Sequence, residues 1–276
     1  MSLPAVLTTK LFFPPARQNL VPRPRLLEKV TRGLQSRLIL ISAPAGYGKT
    51  TLLAEWRSGS GSGMPVAWLS LDNDDNDVTR FLIYLATALG TLTPGIGETA
   101  LINLQSPQPP TTQVILTALI NDLTSSLTVP SALVLDDYHV INSQPVHEAI
   151  TYLLDHLPQQ MHIILLTRAD PSLPLTRLRA RGQLTEIRAA DLRFSVEEAT
   201  AFLNRVMGLD LTGVQVAELE ESTEGWIAGL QLAALSMQGQ DDVQGFISAL
   251  SGSHRYIVDY LVEEVLNRQS DAVREF

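Results

Sequence analysis

The stretch APAGYGKTTL (43–52) lies between the apolar run RLILIS (37–42) and the helix-patterned LAEWR (53–57). No other feature narrows the fold of this chain as sharply. A strand that opens into a glycine-rich loop and then a helix presents backbone N–H groups to an anion, with a lysine for the β/γ-phosphates and a hydroxyl for magnesium. Gly46, Gly48, Lys49 and Thr50 occupy those places, and the loop assigns Ala45, Gly46, Tyr47, Gly48, Lys49, Thr50 and Thr51 to phosphate contact. Ala43 stands where the general pattern has glycine, which a negative φ tolerates.

Two further stretches fit the same chemistry. LVLDDYHVI (133–141) ends an apolar strand in Asp136 and Asp137. The first carboxylate suits magnesium, alongside Thr50, and the second suits a water-orienting or catalytic role. LLTRADP (165–171) ends another strand in Thr167 and Arg168. Where a strand separates the two Walker strands, such a tip faces the γ-phosphate, so Arg168 either distinguishes ATP from ADP or simply pairs with Asp170. The catalytic set is therefore Lys49, Asp136, Asp137 and Arg168.

Five short apolar runs recur, at 37–42, 65–71, 132–136, 162–167 and 184–189, with helical patterns at 78–89, 111–127 and 145–157. Alternation of this kind predicts an α/β fold, a parallel sheet with helices on both faces. Asp77 is the expected N-cap of the 78–89 helix, and Ser195 that of a later one. SGSGSGM (58–64) reads as a flexible connection and 92–110 as a long loop. After about residue 191 only helical periods follow. The predicted organisation is a P-loop α/β domain over 1–190, a helical subdomain over 191–253, and the start of a truncated winged-helix-like region over 254–276. The last residues, DAVREF, follow an amphipathic pattern without a capping signal, as in a fragment.

Composition excludes several function classes. The chain has no cysteine and its five histidines show no paired ligand spacing, which removes structural zinc. No apolar run approaches the roughly 18 residues of a membrane span, so a soluble cytoplasmic protein is expected. A net charge of −9 disfavours nucleic acid, although residues 1–37 hold seven of the 20 basic residues and one acid. That segment reads as a solvated basic face, or as a positive rim near phosphates. LDNDDNDVTRFLI places Asp77 and Ile83 where an EF-hand needs glycine and glutamate, so calcium is rejected. Trp56, Trp68 and Trp226 read as core.

Taken in order, TTKLFFPPARQNLVPRPRLLEKV, APAGYGKTTLLAEW, VAWLSLDNDDND, LVLDDYHVI, LLTRADPSLPLTRLRARGQLTEIRAADLRFS and TEGWIAGLQLAALS resemble the nucleotide-binding region of MalT-type transcriptional activators. These are large LuxR-family regulators of the STAND class of signal-transduction ATPases. The resemblance implies sheet order 5-1-4-3-2 and a switch in which ATP and an inducer favour an oligomerising, active form, while ADP favours the resting form. It places Val21, Pro22 and Arg23 at the adenine. It also sets Gly225 and Trp226 where related ATPases carry Gly-x-Pro, without the proline. Inducer and DNA would be bound by domains absent from this chain.

The function expected is an ATP/ADP switch with magnesium and slow hydrolysis, forming an ATP-dependent homo-oligomer. The alternatives are a P-loop kinase or ATPase acting on a small molecule, for which 92–110 is the only lid candidate, and an ADP-locked interaction module.

Overall fold

The computed structural model describes residues 6–15, 19–238 and 242–250. The expected winged-helix start at 254–276 lies outside the described residues. The chain divides into two compact units. The first comprises Arg25–Ala43 and Lys49–Arg188 with the described part of Met1–Ala16; the second gathers residues 19–24, Pro44–Gly48 and the described residues from Ala189 onward.

The first unit is built on five strands: β1 (Leu38–Ser42), β2 (Val66–Ser70), β3 (Ser131–Asp136), β4 (Met161–Thr167) and β5 (Leu184–Arg188). All pairings are parallel and the order is β2-β3-β4-β1-β5, the order that the resemblance implied. Every residue of β1, β3 and β4 is buried, as continuous apolar runs require when helices cover both faces of a sheet. Register pairs Ser42 with Thr167 and Leu135 with Leu165. The carboxyl ends of β3, β4 and β1 are thus neighbours on one edge, the edge where open α/β sheets take ligands.

Seven helices accompany the sheet: α1 (Pro24–Gly33), α2 (Lys49–Ser58), α3 (Val78–Gly90), α4 (Glu98–Leu104), α5 (Thr112–Ser126), α6 (Gln144–His156) and α7 (Leu175–Ala180). Asp77 caps α3 as expected, its carboxylate accepting from Arg80 N at 2.7 Å. The loop expected over 92–110 is partly helix. Ile96, Ala100 and Leu104 recur at helical spacing and are buried, so α4 packs on α3 and α5. The connection expected at 58–64 is a hydrogen-bonded turn, in which Gly61 N donates to Trp56 O at 2.8 Å.

The DNDDND segment ties the first unit together. Lys10, in a 3₁₀ turn at Thr8–Leu11, is buried against the fully buried Asp75 and pairs with Asp72 at 2.9 Å. Arg80 reaches Asp75 at 3.3 Å. Asn76 donates to Val140 O at 2.9 Å and accepts from Asn142 N and Ser143 N at 2.7 and 2.9 Å. The acids that mimic a calcium loop are therefore occupied with cations and backbone. Among the basic residues of 1–37, Lys10 and Arg37 act as internal ties, Arg37 donating to the carbonyls of Leu154 and Asp155.

The second unit contains α8 (Ala189–Leu192), α9 (Val196–Thr200), a π-helical turn (Ala201–Val206), α10 (Gly213–Thr223), α11 (Ile227–Met237) and α12 (Val243–Leu250). Ser195 caps α9 in a reciprocal box with Glu198, as its sequence suggests. Its core includes Val21, Phe194, Leu203, Leu219, Leu230 and Met237. Among the described residues, no helix is long and apolar enough to cross a membrane.

Candidate nucleotide site

The first unit brings Lys49, Thr50, Asp136, Asp137 and Arg168 to the carboxyl edge of its sheet. Lys49 opens α2, and its Nζ donates to Ala43 O at 2.7 Å, so the amine is aimed back over the end of β1. Burial lowers its pKa to about 8, and the positive charge of Arg168 pushes the same way against the pull of Asp137 and Asp136. Two cations near one place repel each other until an anion arrives between them. Asp170 does not hold Arg168: its partner is Arg188, with the longer of the two contacts at 3.3 Å.

Asp136 ends β3 with 8% of its surface exposed. Thr50 Oγ1 donates to its Oδ2 at 3.2 Å and the Asp137 amide to its Oδ1 at 2.9 Å. Burial, then the neighbouring Asp137 charge, raises its pKa to about 6. A hard cation placed between this hydroxyl and carboxylate would relieve both effects, so the oxygen donors fit magnesium. Asp137 stands apart in conformation. At φ 55° and ψ 35° it is left-handed, and its half-exposed carboxylate projects from the edge rather than into the core. Thr51, next on α2, is half-buried.

Behind the acids, Tyr138 is buried, and its hydroxyl meets His147 Nδ1 of α6 at 2.9 Å. Burial pushes the phenol up and the imidazole down, so both are neutral at pH 7. With the Asn76 amide holding 140–143, the segment after Asp137 is anchored on both sides. Neither Asn76 nor His147 was singled out by the sequence reading.

The second unit contains the middle of the loop, Pro44–Gly48. Gly46 and Gly48 have φ of 76° and 75°, the left-handed region that a glycine enters without cost, while Ala43 lies outside it. A Cβ on Gly46 would stand 2.6 Å from Ala228 Cβ and 2.7 Å from Trp226 Nε1. Trp226, read from the sequence as core, donates its indole N–H to Ala45 O at 2.9 Å, and Ala228 N donates to Gly46 O at 3.2 Å. Ala45 and Tyr47 are half-buried. Of the expected adenine segment, Val21 is in the core, Pro22 is exposed, and Arg23 is buried. The Arg23 guanidinium donates to the carbonyls of Leu192 and Arg193 at 2.9 and 2.7 Å, pairs with Glu198 at 3.0 Å and covers the Phe194 ring.

No family model matches the chain. Sequence comparison gives 38% identity to the serine/threonine-protein kinase PknK of Mycobacterium tuberculosis over 259 residues, 94% of this chain and 23% of that protein. It gives 36% identity to the HTH-type transcriptional regulator MalT of Yersinia pestis over 273 residues, 98% of this chain and 30% of that protein. The chain thus spans less than a third of either relative. Among solved structures, a STAND protein with a tetratricopeptide repeat sensor from Pyrococcus horikoshii matches 87% of this chain and 33% of its own length, with TM-score 0.62 and 18% identity. A Walker-type ATPase of Pyrococcus abyssi matches 94% of this chain and 79% of its own, with TM-score 0.56 and 16% identity. Those two share the fold. The sheet order and the two solved structures give this chain the fold of the P-loop ATPases, and over 98% of its length it is similar to a segment of MalT.

Proposed function

We propose that this chain is a nucleotide-controlled switch that binds ATP and ADP with magnesium and hydrolyses ATP slowly. The observation that carries the reading is the charge arrangement at the sheet edge, where Lys49 and Arg168 disfavour one another beside Asp136 and Asp137. A di- or triphosphate lying by both cations would offset their repulsion. Magnesium would supply the compensating cation at Thr50 and Asp136 and screen phosphate charge. Lys49 would hold β/γ-oxygens, Arg168 would add a charge-assisted bond to the terminal phosphate, and Asp137 would orient the attacking water.

Segments similar to this chain occur in a serine/threonine-protein kinase and in an HTH-type transcriptional regulator, and such reuse supports a control module rather than an effector. By the same reading, oligomerisation, inducer and promoter DNA belong to a longer protein of MalT type. A small-molecule kinase finds little support in 92–110, since α4 occupies the middle of that segment and packs on α3 and α5.

Titration calorimetry with ATP and with ADP, both with magnesium, paired with mass determination in solution, tests the switch. The expected result is binding of both nucleotides with unequal affinity, since only differential binding shifts a conformational equilibrium. Equal affinities would favour a locked module, and no binding would end the reading. Magnesium-nucleotide affinity should peak between pH about 6 and about 8. In the protein without nucleotide, Asp136 takes up a proton below the first value and loses its charge for the metal, and Lys49 loses its proton above the second and with it its charge for phosphate. A flat affinity from pH 5 to 9 would contradict these assignments.

A further inference from the structure

A phosphate-binding loop works only while its amides face the anion. Peptide planarity makes this a statement about carbonyls too, because the C=O of one residue points opposite to the N–H of the next. An outward Ala45 carbonyl aims the Gly46 amide inward, and an outward Gly46 carbonyl aims the Tyr47 amide inward. Glycine at 46 and 48 makes such a loop easy to form and equally easy to flip, because positive and negative φ are both open to it.

Both of those carbonyls are held. Trp226 Nε1 takes Ala45 O at 2.9 Å and Ala228 N takes Gly46 O at 3.2 Å, while the indole edge and the Ala228 methyl close the space beside Gly46. Trp226 is itself fixed from behind. Gly225 has φ 66°, and a Cβ there would meet Phe194 O at 2.5 Å; its own carbonyl accepts from Phe194 N at 2.9 Å. Phe194 in turn lies under the Arg23 guanidinium, 4.6 Å from the ring centroid.

We propose that Trp226 is a positioning residue for the phosphate loop: with the Ala228 amide it locks the Ala45 and Gly46 carbonyls outward, so that the Gly46 and Tyr47 amides stay turned to a nucleoside di- or triphosphate. This rests on the nucleotide-binding reading. It gives the GWIAG segment a part to play without the proline of Gly-x-Pro. It also makes the start of α11 the place where loop occupancy is felt by the helical unit.

The test is binding of ADP and ATP with magnesium to Trp226→Phe, which keeps a ring over Gly46 and removes the donor. Affinity for both nucleotides is expected to fall about tenfold, the cost of leaving a half-buried acceptor unpaired and the loop free to flip. A purely structural tryptophan would lower the melting midpoint of the nucleotide-free protein and leave the affinity of the folded fraction unchanged, and that result overturns the proposal. Ala228→Pro removes the other donor within the first turn of a helix, where proline is accommodated, and should weaken binding in the same direction. Hydrogen exchange on the unaltered chain needs no variant: magnesium-ADP should slow exchange at 226–230 together with 45–49, and protection confined to 45–49 also overturns it. Lys49→Ala separates the two readings. If Lys49→Ala abolishes binding while Trp226→Phe and Ala228→Pro bind normally, the lock fails and the phosphate loop stands; if Lys49→Ala binds normally, the nucleotide reading itself fails.

Discussion

Lys49→Ala is expected to weaken ADP and ATP by at least about a hundredfold without unfolding the protein. A charge-assisted contact in a half-buried site contributes more than a surface pair, and removing one partner of a buried pair costs about 3–5 kcal/mol, or roughly two to nearly four powers of ten in affinity. The fold should tolerate the change. Lys49 is the first residue of α2, where alanine is a good helix former, and its ammonium is held at a cost, since burial and Arg168 both lower its pKa to about 8. The melting midpoint of the free protein should therefore move little while its nucleotide-dependent rise disappears. Calorimetry combined with thermal melting checks both parts. Unchanged affinity would remove Lys49 from the site, and a collapsed midpoint would show that its bond to Ala43 O is structural.

The sheet was legible because its strands needed so little context. β1, β3 and β4 are apolar at nearly every position and end in the residues that face the ligand edge, so composition and function pointed to the same spans. Asp77 and Ser195 were legible for a similar reason, each cap being a local bond to an amide three residues on. α4 was hidden by the prolines and glycines around it, although Ile96, Ala100 and Leu104 already carried the helical spacing. What sequence could not disclose were partnerships across great separations. Lys10 and Asp75 are 65 residues apart, and Trp226 and Ala45 are 181 apart. A tryptophan just ahead of an apolar helix gives no sign that its N–H serves a distant carbonyl. The left-handed turn at Asp137 was equally silent, since nothing local distinguishes that acid from a solvated strand end.

That turn bears on the second large effect, a fall in ATP turnover of roughly a hundredfold to a thousandfold in Asp137→Asn, the size typical of losing a positioned base or charge. Asparagine is among the few residues that accept φ 55°, so the backbone of the acid pair should survive, including the Asp137 amide bond to Asp136 Oδ1. Asp136 would keep its charge for the metal, and losing the repulsion from its neighbour should let its pKa fall below about 6. Nucleotide affinity is therefore expected to stay within about twofold while the chemical step slows. Single-turnover hydrolysis of bound ATP, measured beside equilibrium binding, reads the two quantities separately. A variant that turned over at the normal rate would strip Asp137 of its role, and one that lost binding would make it part of the metal site. If the unaltered chain itself retained bound ATP without hydrolysis, the acid pair would be serving to hold a nucleotide, and the switch would be set by exchange instead of by chemistry.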